Sequence, residues 1–356
     1  MTFISEVIDW YGNNKRDLPW RNTSDPYIIW LSEVILQQTR VDQGLPYFHR
    51  FAERFPSVSA FASANEDEVL KLWQGLGYYS RGRNMHQTAQ IVMEEHAGYF
   101  PSRYDQLIKL KGVGEYTAAA ISSFSANEAK AVVDGNVFRV LSRYFGITDP
   151  INTGQAKKKF TELANSLIDP SRAALSNQAI MEFGALLCKP KNPDCGSCPL
   201  RPGCEAYKTD MVSVLPVKIK KQAVRERYFN YIVALNNEKV VFSKRGAGDI
   251  WQNLYEFPLI EATELISPAE LTCLPAFTEL FGEKAAVYHS YTPKVHVLSH
   301  QKLHSRFFFV SNAGTVLTDR PHWFFTETEL LKSFATPKLI FAFLEKFPTL
   351  NPHTKI

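Results

Sequence analysis

The sequence predicts a multi-domain chain in which an all-α region over residues 1–212 is followed by a linker at 213–227 and an α+β domain at 228–356. Apolar residues recur at helical spacing throughout the first region, and we find no alternating strand pattern in it. Segments typical of strands begin only after the basic linker. The length of 356 residues also suits two ordinary domains.

Helices in the first region are indicated by apolar positions that lie three and four residues apart. The segments with this pattern include residues 30–36, 69–73, 134–145 and 178–187. Because proline lacks the backbone donor that a helix interior needs, we expect prolines at helix starts or connections. The prolines assigned to such positions are Pro26, Pro46, Pro56 and Pro101.

The third part of the chain combines strand and helix patterns. Residues 228–235 and 239–244 flank Asn236-Asn237-Glu238, which predicts a hairpin. Further strands are expected at 287–291, 295–298 and 307–310, and helices at 262–271 and 337–346. This mixture predicts an α+β domain.

Composition limits the possible functions. No run of about 18 apolar residues occurs, so we expect no membrane partner. The net charge of +4 comes entirely from residues 213–356, because residues 1–212 hold 23 Lys and Arg against 23 Asp and Glu. Bulk charge therefore does not predict nucleic-acid binding. Such binding would depend on local geometry and on small basic clusters such as Lys189, Lys191 and Arg201. A solvated loop is the alternative interpretation of these three residues.

Four cysteines end the helical region with the spacing C-x6-C-x2-C-x5-C: Cys188, Cys195, Cys198 and Cys204. So short a span can place four thiolates around one compact group, and a [4Fe-4S] cluster is the predicted cofactor. Structural zinc is the alternative, although its sites usually contain two C-x2-C pairs. Disulfides are not expected, because the chain starts without a secretion signal and its thiols suit a reducing compartment. The fifth cysteine, Cys273, is predicted to be a small buried residue.

A short glycine-containing turn lies within LKGVGEYTAAA at residues 110–120. Gly112 and Gly114, with Val113 between them, allow the backbone to approach a partner closely, and the following helix offers free N–H groups to a phosphate. Such contacts from the protein backbone would bind DNA independently of its base sequence. A plain helix end is the alternative interpretation of the same residues.

Two carboxylates are candidates for acid and charge-stabilising chemistry. On a helix, Glu33 would have the apolar neighbours Ile29, Trp30 and Leu36, so partial burial should raise its pKa and suit it to act as an acid near neutral pH. Asp134 follows an apolar run and precedes a helix, where a capping carboxylate stays ionised. An acid beside an anion is the arrangement that cleaves a bond to a sugar through a cationic transition state. A solvated Glu33 and a purely structural cap are the simpler alternatives.

Several strings together resemble the MutY-type adenine DNA glycosylases of the helix–hairpin–helix iron–sulfur superfamily. They are LPWR at 18–21, WLSEV and QQT within 30–39, GLGYYSR at 75–81, GVG at 112–114, DGNV at 134–137 and the four cysteines. They cover nearly all of residues 8–205. The resemblance implies a helix–hairpin–helix glycosylase module with an iron–sulfur loop, followed by a Nudix-like domain.

The resemblance also implies roles for individual residues. Glu33 would protonate adenine at N7, Asp134 would stabilise the cationic sugar, and Tyr116 and Asn136 would support the transition state. Gln37 and Tyr78 would push into the base stack. The residues that would line the adenine pocket are Arg21, Leu36, Gln38 and Gln178. The plain alternatives are a core aromatic for Tyr78 and a surface amide for Gln37.

Residue 116 and the third part of the chain refine this expectation. Related endonuclease III-type enzymes carry at position 116 a lysine that forms an imine, whereas Tyr116 cannot, so a monofunctional glycosylase is expected. IWQNLYEFP at 250–258 resembles the family's Nudix-like domain. The family's Phe-Ser-His loop, which contacts 8-oxoguanine, occurs here as Leu298-Ser299-His300. Because no run of paired glutamates is found, this domain should bind rather than hydrolyse.

The expected partner is duplex DNA that contains adenine opposite 8-oxoguanine or guanine, in base excision repair. We expect a monomer in the cytoplasm, associated with the nucleoid if the source is a bacterium. A glycosylase for another mispair, such as thymine opposite guanine, is the nearest rival among enzymes. A DNA-binding iron–sulfur protein without catalytic activity is the rival from another class, although such a protein has no use for Glu33 together with Asp134.

Overall fold

The computed structural model describes residues 2–219, 224–236, 238–313 and 322–350. They form two compact units, one from Met1–Ser63 with Asn84–Lys221 and the other from Ala64–Arg83 with Gln222–Ile356. The all-α and α+β parts predicted from the sequence are confirmed. The described helices and strands are α1 Phe3–Asn14, α2 Pro26–Ile35, α3 Val41–Arg54, α4 Val58–Ala62, α5 Glu66–Trp73, α6 Ser80–Glu95, α7 Tyr104–Leu107, α8 Glu115–Ala126, α9 Gly135–Phe145, α10 Gly154–Leu167, α11 Ala173–Leu186, α12 Glu205–Lys208, β1 Arg225–Asn236, β2 Lys239–Lys244, β3 Tyr255–Glu256, β4 Leu259–Ala262, α13 Pro268–Thr272, α14 Pro275–Phe281, β5 Ala286–Tyr291, β6 His296–Val297, β7 Gln301–Ser311, β8 Trp323–Glu327 and α15 Lys338–Lys346.

The first unit is a bundle of helices around an apolar core. In that core α11 packs against α1, α8 and α9, and α2 packs against α8. α9 is amphipathic and begins at the cap Asp134, whose side chain accepts the first backbone N–H groups. α8 and α11 pack on each other, so they fix the positions of α2, which carries Glu33, and of α9, which begins at Asp134.

Pro46 departs from the expectation that prolines mark helix boundaries, because it lies inside α3. Its ring nitrogen cannot donate to the carbonyl of Asp42, one turn earlier. Both residues are exposed, so water can satisfy that carbonyl. The helix therefore continues through Pro46.

The second unit contains a mixed sheet with the strand order β3-β2-β1-β7-β5, in which β4 pairs with β1, β6 with β7 and β8 with β2. The central pair β1–β7 is parallel, and the other pairs are antiparallel. Successive residues of β1 face opposite sides, so Tyr231 and Val233 join a core with α15 while Ile232 and Ala234 join a core with α13 and α14. Helices thus cover both faces.

Some predictions about this unit need correction. The helix expected at 262–271 is confined to Pro268–Thr272, because Ala262 still pairs in β4. β3, β4, β8 and α14 were not predicted, and Cys273 is exposed rather than buried. The expected turn includes residue 237, which lies outside the described residues, while Asn236 and Lys239 are paired as the hairpin requires.

The boundaries between the parts also differ from those that the sequence suggested. Strand β1 begins at Arg225, within the segment 213–227 that was expected to be a linker. Residues 64–83 group with the second unit, whereas the sequence analysis placed them in the helical region. In the described part of the chain, none of the helices has the length and apolar character needed to span a membrane.

Candidate active site

Helix α2 holds a carboxyl group in an apolar environment. Eight of its ten residues are buried, which is typical of a helix within a core. Glu33 is one of them and is only 8% exposed. Burial disfavours the ionised form and raises the pKa of Glu33 from 4.5 to about 7. This side chain can therefore carry a proton near neutral pH.

The neighbours of Glu33 adjust that pKa in both directions. The Tyr116 hydroxyl donates a hydrogen bond to Glu33 Oε2 at 2.8 Å and lowers the pKa, because it favours the anion. The charge of Asp134 raises the pKa of Glu33, and that of Arg21 lowers it. Burial raises the pKa of Tyr116 itself well above its usual value, so Tyr116 remains a hydrogen-bond donor.

Asp134 is held rigidly at the start of α9. Its Oδ1 accepts hydrogen bonds from the backbone N–H groups of Asn136 and Val137, both at 2.8 Å, and its Oδ2 accepts one from Asn136 Nδ2 at 2.6 Å. Burial raises the pKa of Asp134, while these hydrogen bonds lower it. The carboxylate oxygens are thus fixed by three donors from the first turn of the helix.

Asn136 is held in turn by Arg139, one helical turn further along α9. Arg139 Nη2 donates to Asn136 Oδ1 at 2.9 Å and to the Gly184 carbonyl at 2.7 Å. Arg139 Nε donates to the carbonyl of Cys188 at 2.7 Å. The side chain that supports Asp134 is therefore tied to α11 and to the start of the cysteine segment.

A cavity of about 430 Å³ brings these groups together. Glu33, Tyr116, Asp134 and Asn136 all line it. Its remaining lining residues are Arg16, Leu18, Trp20, Arg21, Leu36, Gln37, Gln38, Thr39, Val41, Val133, Gly135, Phe138, Met181, Glu182 and Ala185. A space of this size, with apolar walls and a few convergent polar groups, is typical of a site for a small ligand or a single base.

Glu182, which was not predicted from the sequence, is 1% exposed and lies at the cavity wall. Its two oxygens accept hydrogen bonds from Arg16 at 2.9 and 2.7 Å and from Arg21 at 2.7 Å. Although burial raises its pKa, these guanidinium groups hold the pKa of Glu182 at about 2. The signal in the sequence was a charged residue within the apolar stretch Ile180–Phe183 of a helix.

The residues predicted to line the adenine pocket lie close to this cavity. Arg21, Leu36, Gln37 and Gln38 line it directly. Gln37 Nε2 lies 3.1 Å from Thr117 Oγ1, to which it donates. Gln178 lines a smaller neighbouring cavity that Glu33 also borders, and its Oε1 accepts a hydrogen bond from the Tyr11 hydroxyl at 3.0 Å.

The predicted turn between two helices lies between α7 and α8. Gly112 has φ = 74°, and a Cβ there would lie 2.8 Å from Asn84 Cβ. Glycine is thus required both by the backbone conformation and by close packing. Val113 is buried, while Gly114 caps α8 with open space around its Cα, so this face of the turn can approach a partner.

The four cysteines of the predicted cluster line one small cavity. Arg143 Nη1 contacts Cys188 Sγ at 3.4 Å. Burial has the largest effect on the pKa of Cys198 and raises it, and negative charge on the other three thiols raises it further. Among the described residues, no three His, Cys, Asp or Glu side chains converge on the position of a single ion. The four thiols thus border one shared space.

Three predicted site residues belong to the second unit. Tyr78 precedes α6, is 50% exposed and has φ = 47°. Ser299 and His300 are exposed at the tip of the hairpin between β6 and β7, where the N–H of Leu298 donates to the carbonyl of Gln301 at 2.8 Å. The tight turn presents both side chains to a partner.

Comparison with known proteins agrees with this arrangement. The profile of the HhH-GPD superfamily of base excision DNA repair proteins matches residues 31–166, and a NUDIX domain profile matches residues 230–346. The adenine DNA glycosylase of Buchnera aphidicola subsp. Schizaphis graminum is 37% identical over 257 residues, which cover 72% of this chain and 74% of that protein. The adenine DNA glycosylase of Mus musculus is 44% identical over 215 residues, which cover 58% of this chain and 42% of that protein.

Solved structures share the fold of the helical part. A thermostable thymine-DNA glycosylase superposes with a TM-score of 0.54 at 28% identity, over 58% of this chain and 95% of that one. An endonuclease III–DNA complex superposes with a TM-score of 0.50 at 21% identity, over 58% of this chain and 94% of that one. The curated relatives and the second domain go beyond this shared fold: the chain belongs to the adenine DNA glycosylase family, within the HhH-GPD superfamily of base excision DNA repair proteins.

Proposed function

We propose that this DNA glycosylase acts as a monomer and removes adenine opposite 8-oxoguanine or guanine in duplex DNA by hydrolysing the N-glycosidic bond. The observation that carries the proposal is the pair of carboxyl groups in one cavity. Glu33 is buried and holds a proton near neutral pH, while Asp134 is fixed by helix-capping hydrogen bonds. The two groups suit opposite ends of the same bond.

The chemistry follows from these protonation states. Glu33 transfers its proton to N7 of an adenine that has been flipped out of the duplex, and the base leaves with the bonding electrons. The anion of Asp134 stabilises the positive charge that develops on the sugar. Water then adds to the sugar carbon, and its released proton restores Glu33. Tyr116 and Asn136 keep the two carboxyl groups in place.

Tyr116 also supports the absence of strand cleavage. A lyase needs an amine that forms an imine with the sugar, and a phenol cannot form one. The Tyr116 hydroxyl is moreover committed to Glu33. We therefore propose base removal that leaves the DNA strand intact.

DNA contacts are proposed at three places. The turn of Gly112, Val113 and Gly114 with the N-terminus of α8 would hold a phosphate through backbone N–H groups. Gln37 and Tyr78 would fill the space that the flipped adenine leaves in the base stack. Arg21, Leu36, Gln38 and Gln178 would contact the extruded base in or beside the cavity.

The decisive experiment incubates the purified protein with a duplex that holds one adenine opposite 8-oxoguanine. We expect free adenine, with the strand cut only after alkali converts the abasic site. A matched duplex with thymine opposite guanine tests the rival mispair, since the structural neighbour with a TM-score of 0.54 is a thymine-DNA glycosylase. Release of thymine but not adenine, or immediate strand scission, would contradict the proposal.

We also propose that Cys188, Cys195, Cys198 and Cys204 hold a [4Fe-4S] cluster. The four thiols border one cavity, and their spacing contains one C-x2-C pair rather than the two that are usual in structural zinc sites, which favours the cluster. Bound there, the cluster would organise the segment whose first carbonyl accepts the hydrogen bond from Arg139. Metal analysis should find about four iron atoms and four sulfides per chain; a single zinc ion would contradict the assignment.

Recognition of 8-oxoguanine is proposed for the β6–β7 hairpin. Ser299 offers a hydrogen-bonding hydroxyl at its exposed tip. Leu298 replaces the family's aromatic residue and is half-buried against the core that includes α15, so it does not extend outward as a wedge. Ser299 and His300 would therefore carry the discrimination.

The double variant Ser299→Ala with His300→Ala should reduce the preference for 8-oxoguanine over guanine. Loss of one or two hydrogen bonds, each worth about 1 kcal/mol, predicts a drop in the rate ratio of roughly 5- to 30-fold. The measurement compares single-turnover rates on the two duplexes. Thr292→Ala serves as the control, because it removes an exposed hydroxyl just after β5 that accepts a hydrogen bond from Arg306. An unchanged ratio in the double variant removes the recognition role from the hairpin.

Gly184→Ala should disturb the catalytic pair without changing any polar group. A Cβ at Gly184 would lie 2.7 Å from Asn136 Cβ and 2.9 Å from the Asn136 carbonyl oxygen, so the start of α9 must shift. Misplacement of a catalytic group by this kind of shift predicts a rate loss of roughly 10- to 100-fold. Gly12→Ala, in α1 with open space around it, is the matched control and should keep full activity.

A further inference from the structure

The loop that presents Tyr78 has an unusual backbone. Gly75, Gly77 and Tyr78 all have positive φ angles, at 105°, 72° and 47°. Glycine tolerates this region, but an aromatic residue rarely adopts it, so surrounding contacts must hold Tyr78 there. Within the loop, Trp73 Nε1 donates to the Gly77 carbonyl at 3.0 Å, and the Arg81 guanidinium lies 5.7 Å from the centre of the Tyr78 ring.

The segment at residues 332–336 of the second unit contacts this loop from the other side. The Tyr79 hydroxyl donates to the Thr336 carbonyl at 3.2 Å and accepts from the Gly75 N–H at 3.4 Å. The Tyr79 hydroxyl thus joins the backbone of the Tyr78 loop to the backbone of the 332–336 segment. Gln74 Nε2 lies 3.4 Å from Thr336 Oγ1.

Lys71 makes a second set of contacts with the same segment. Its ammonium group donates to the carbonyls of Lys332 and Phe334, the latter at 3.1 Å, and to Gln74 Oε1 at 2.9 Å. Because Gln74 immediately precedes the strained turn, Lys71 connects the carbonyls of residues 332–334 to the start of the Tyr78 loop.

The segment is itself anchored to the sheet. The Tyr255 N–H of β3 donates to the Ala335 carbonyl at 2.8 Å, and Ala335 and Thr336 are both buried. At the N-terminus of α5, Asp67 accepts from Lys244 and from the Tyr255 hydroxyl, both at 2.7 Å. Hydrogen bonds therefore connect the sheet, through residues 332–336, to the residues that flank Tyr78.

We propose that Tyr79 and Lys71 are positioning residues that use residues 332–336 to hold Tyr78 ready to enter the base stack. The inference rests on the proposed function, because it takes over the role assigned there to Tyr78. The domain matched by the NUDIX profile then has two separate tasks. The β6–β7 hairpin distinguishes 8-oxoguanine from guanine, whereas the 332–336 segment supports adenine extrusion from either mispair.

The two tasks predict different kinetic signatures. Tyr79→Phe removes one hydroxyl and retains the packed ring, and Lys71→Met removes the ammonium group and retains the aliphatic chain. Each should lower single-turnover excision by roughly 5- to 30-fold, as a net loss equivalent to one or two hydrogen bonds implies. The loss should be the same on adenine opposite 8-oxoguanine and opposite guanine, in contrast to the hairpin variant.

A double-mutant cycle with Tyr78→Ala tests the connection directly. If Tyr79 and Lys71 act through Tyr78, their substitution should cause no further loss in the Tyr78→Ala background. Fluorescence of 2-aminopurine placed at the adenine position reports extrusion independently of bond cleavage, and should fall in Tyr79→Phe and Lys71→Met. Lys239→Met, which removes an exposed ion pair with Glu327 on the same sheet, is the control and should change neither signal.

Several outcomes would overturn the inference. One is a loss of equal size with and without Tyr78, and another is unchanged rates and fluorescence in both single variants. If Tyr79→Phe proves unstable in thermal melting, Lys71→Met answers the same question. If the proposed function is wrong, the unsubstituted protein releases no adenine. The fluorescence cycle still reports on extrusion in that case.

Discussion

Glu33→Gln is expected to abolish adenine release while binding of the duplex persists. Glutamine has the same shape, and its carbonyl can accept the hydrogen bond that Tyr116 donates to Glu33. It has no proton to transfer to N7, however, and a lost general acid costs roughly 10²- to 10⁴-fold in rate. Single-turnover excision and a gel-shift titration measure the two properties. Near-normal excision would exclude the acid role, and Glu53→Gln, at an exposed position of α3, is the control.

The pH dependence of the excision rate of the unsubstituted enzyme should report the ionisation of Glu33. Because burial raises the pKa of Glu33 to about 7, the acid is protonated below that pH and is lost above it. The rate should therefore fall about tenfold per pH unit on the alkaline side. If the rate does not fall on the alkaline side, or if its fall is centred near pH 4.5, Glu33 is a solvated carboxyl group.

Stability should respond to pH through this group with a defined sign. The native pKa lies above the ordinary value of 4.5, so the folded state binds more protons than the unfolded state between pH 4.5 and about 7. The contribution of Glu33 to the free energy of unfolding is therefore most favourable below pH 4.5 and declines as the pH rises through 7. At about 1.4 kcal/mol per unit of pKa difference, the total decline is roughly 3 kcal/mol. Urea unfolding of Glu33→Gln and the unsubstituted protein at pH 5 and pH 8 measures the difference, which should favour the variant at pH 8.

Asp134→Asn should separate the structural role of Asp134 from its charge. Asparagine caps helices about as well as aspartate, so the free energy of unfolding should change by less than about 1 kcal/mol. The amide of Asn136, which now donates to Asp134 Oδ2, must turn to meet the new side chain. Loss of the anion beside the sugar should cost roughly 10²- to 10³-fold in excision rate.

A second signature identifies the charge of Asp134 as the cause. That charge raises the pKa of Glu33, so its removal should move the alkaline limb of the residual activity to lower pH. Asp169→Asn provides the control, because Asp169 caps the exposed turn at Pro170–Arg172 in the same way. An Asp134→Asn variant that retains full activity would leave Asp134 as a cap alone.

Local patterns predicted the two carboxyl groups, whereas contacts between distant residues completed the site. The apolar neighbours of Glu33 on α2 are visible in the sequence, and they account for its burial. The cap at Asp134 was also predictable, although the dipole argument did not reveal that burial raises its pKa. Glu182 could not be placed, because its partners Arg16 and Arg21 lie more than 160 residues away in the chain.

The same limit applies to the second unit. Apolar segments, two of them on either side of Asn236-Asn237-Glu238, predicted the hairpin β1–β2 and strand β5 closely. β3 and β8 escaped prediction, because they are short and are defined by pairing with β2 rather than by a pattern of their own. Residues 64–83 group with this unit and make polar contacts with it, such as that of Asp67 with Lys244, which no local sequence signal indicates.

The proton held by Glu33 is best tested by titrating this carboxyl group directly. With ¹³C-labelled glutamate side chains, the signal that disappears in Glu33→Gln belongs to Glu33, and its chemical shift followed from pH 4 to pH 9 gives the pKa. We expect a midpoint near 7, because burial raises the pKa of Glu33. A midpoint near 4.5, the ordinary value for a solvated glutamate, would contradict it.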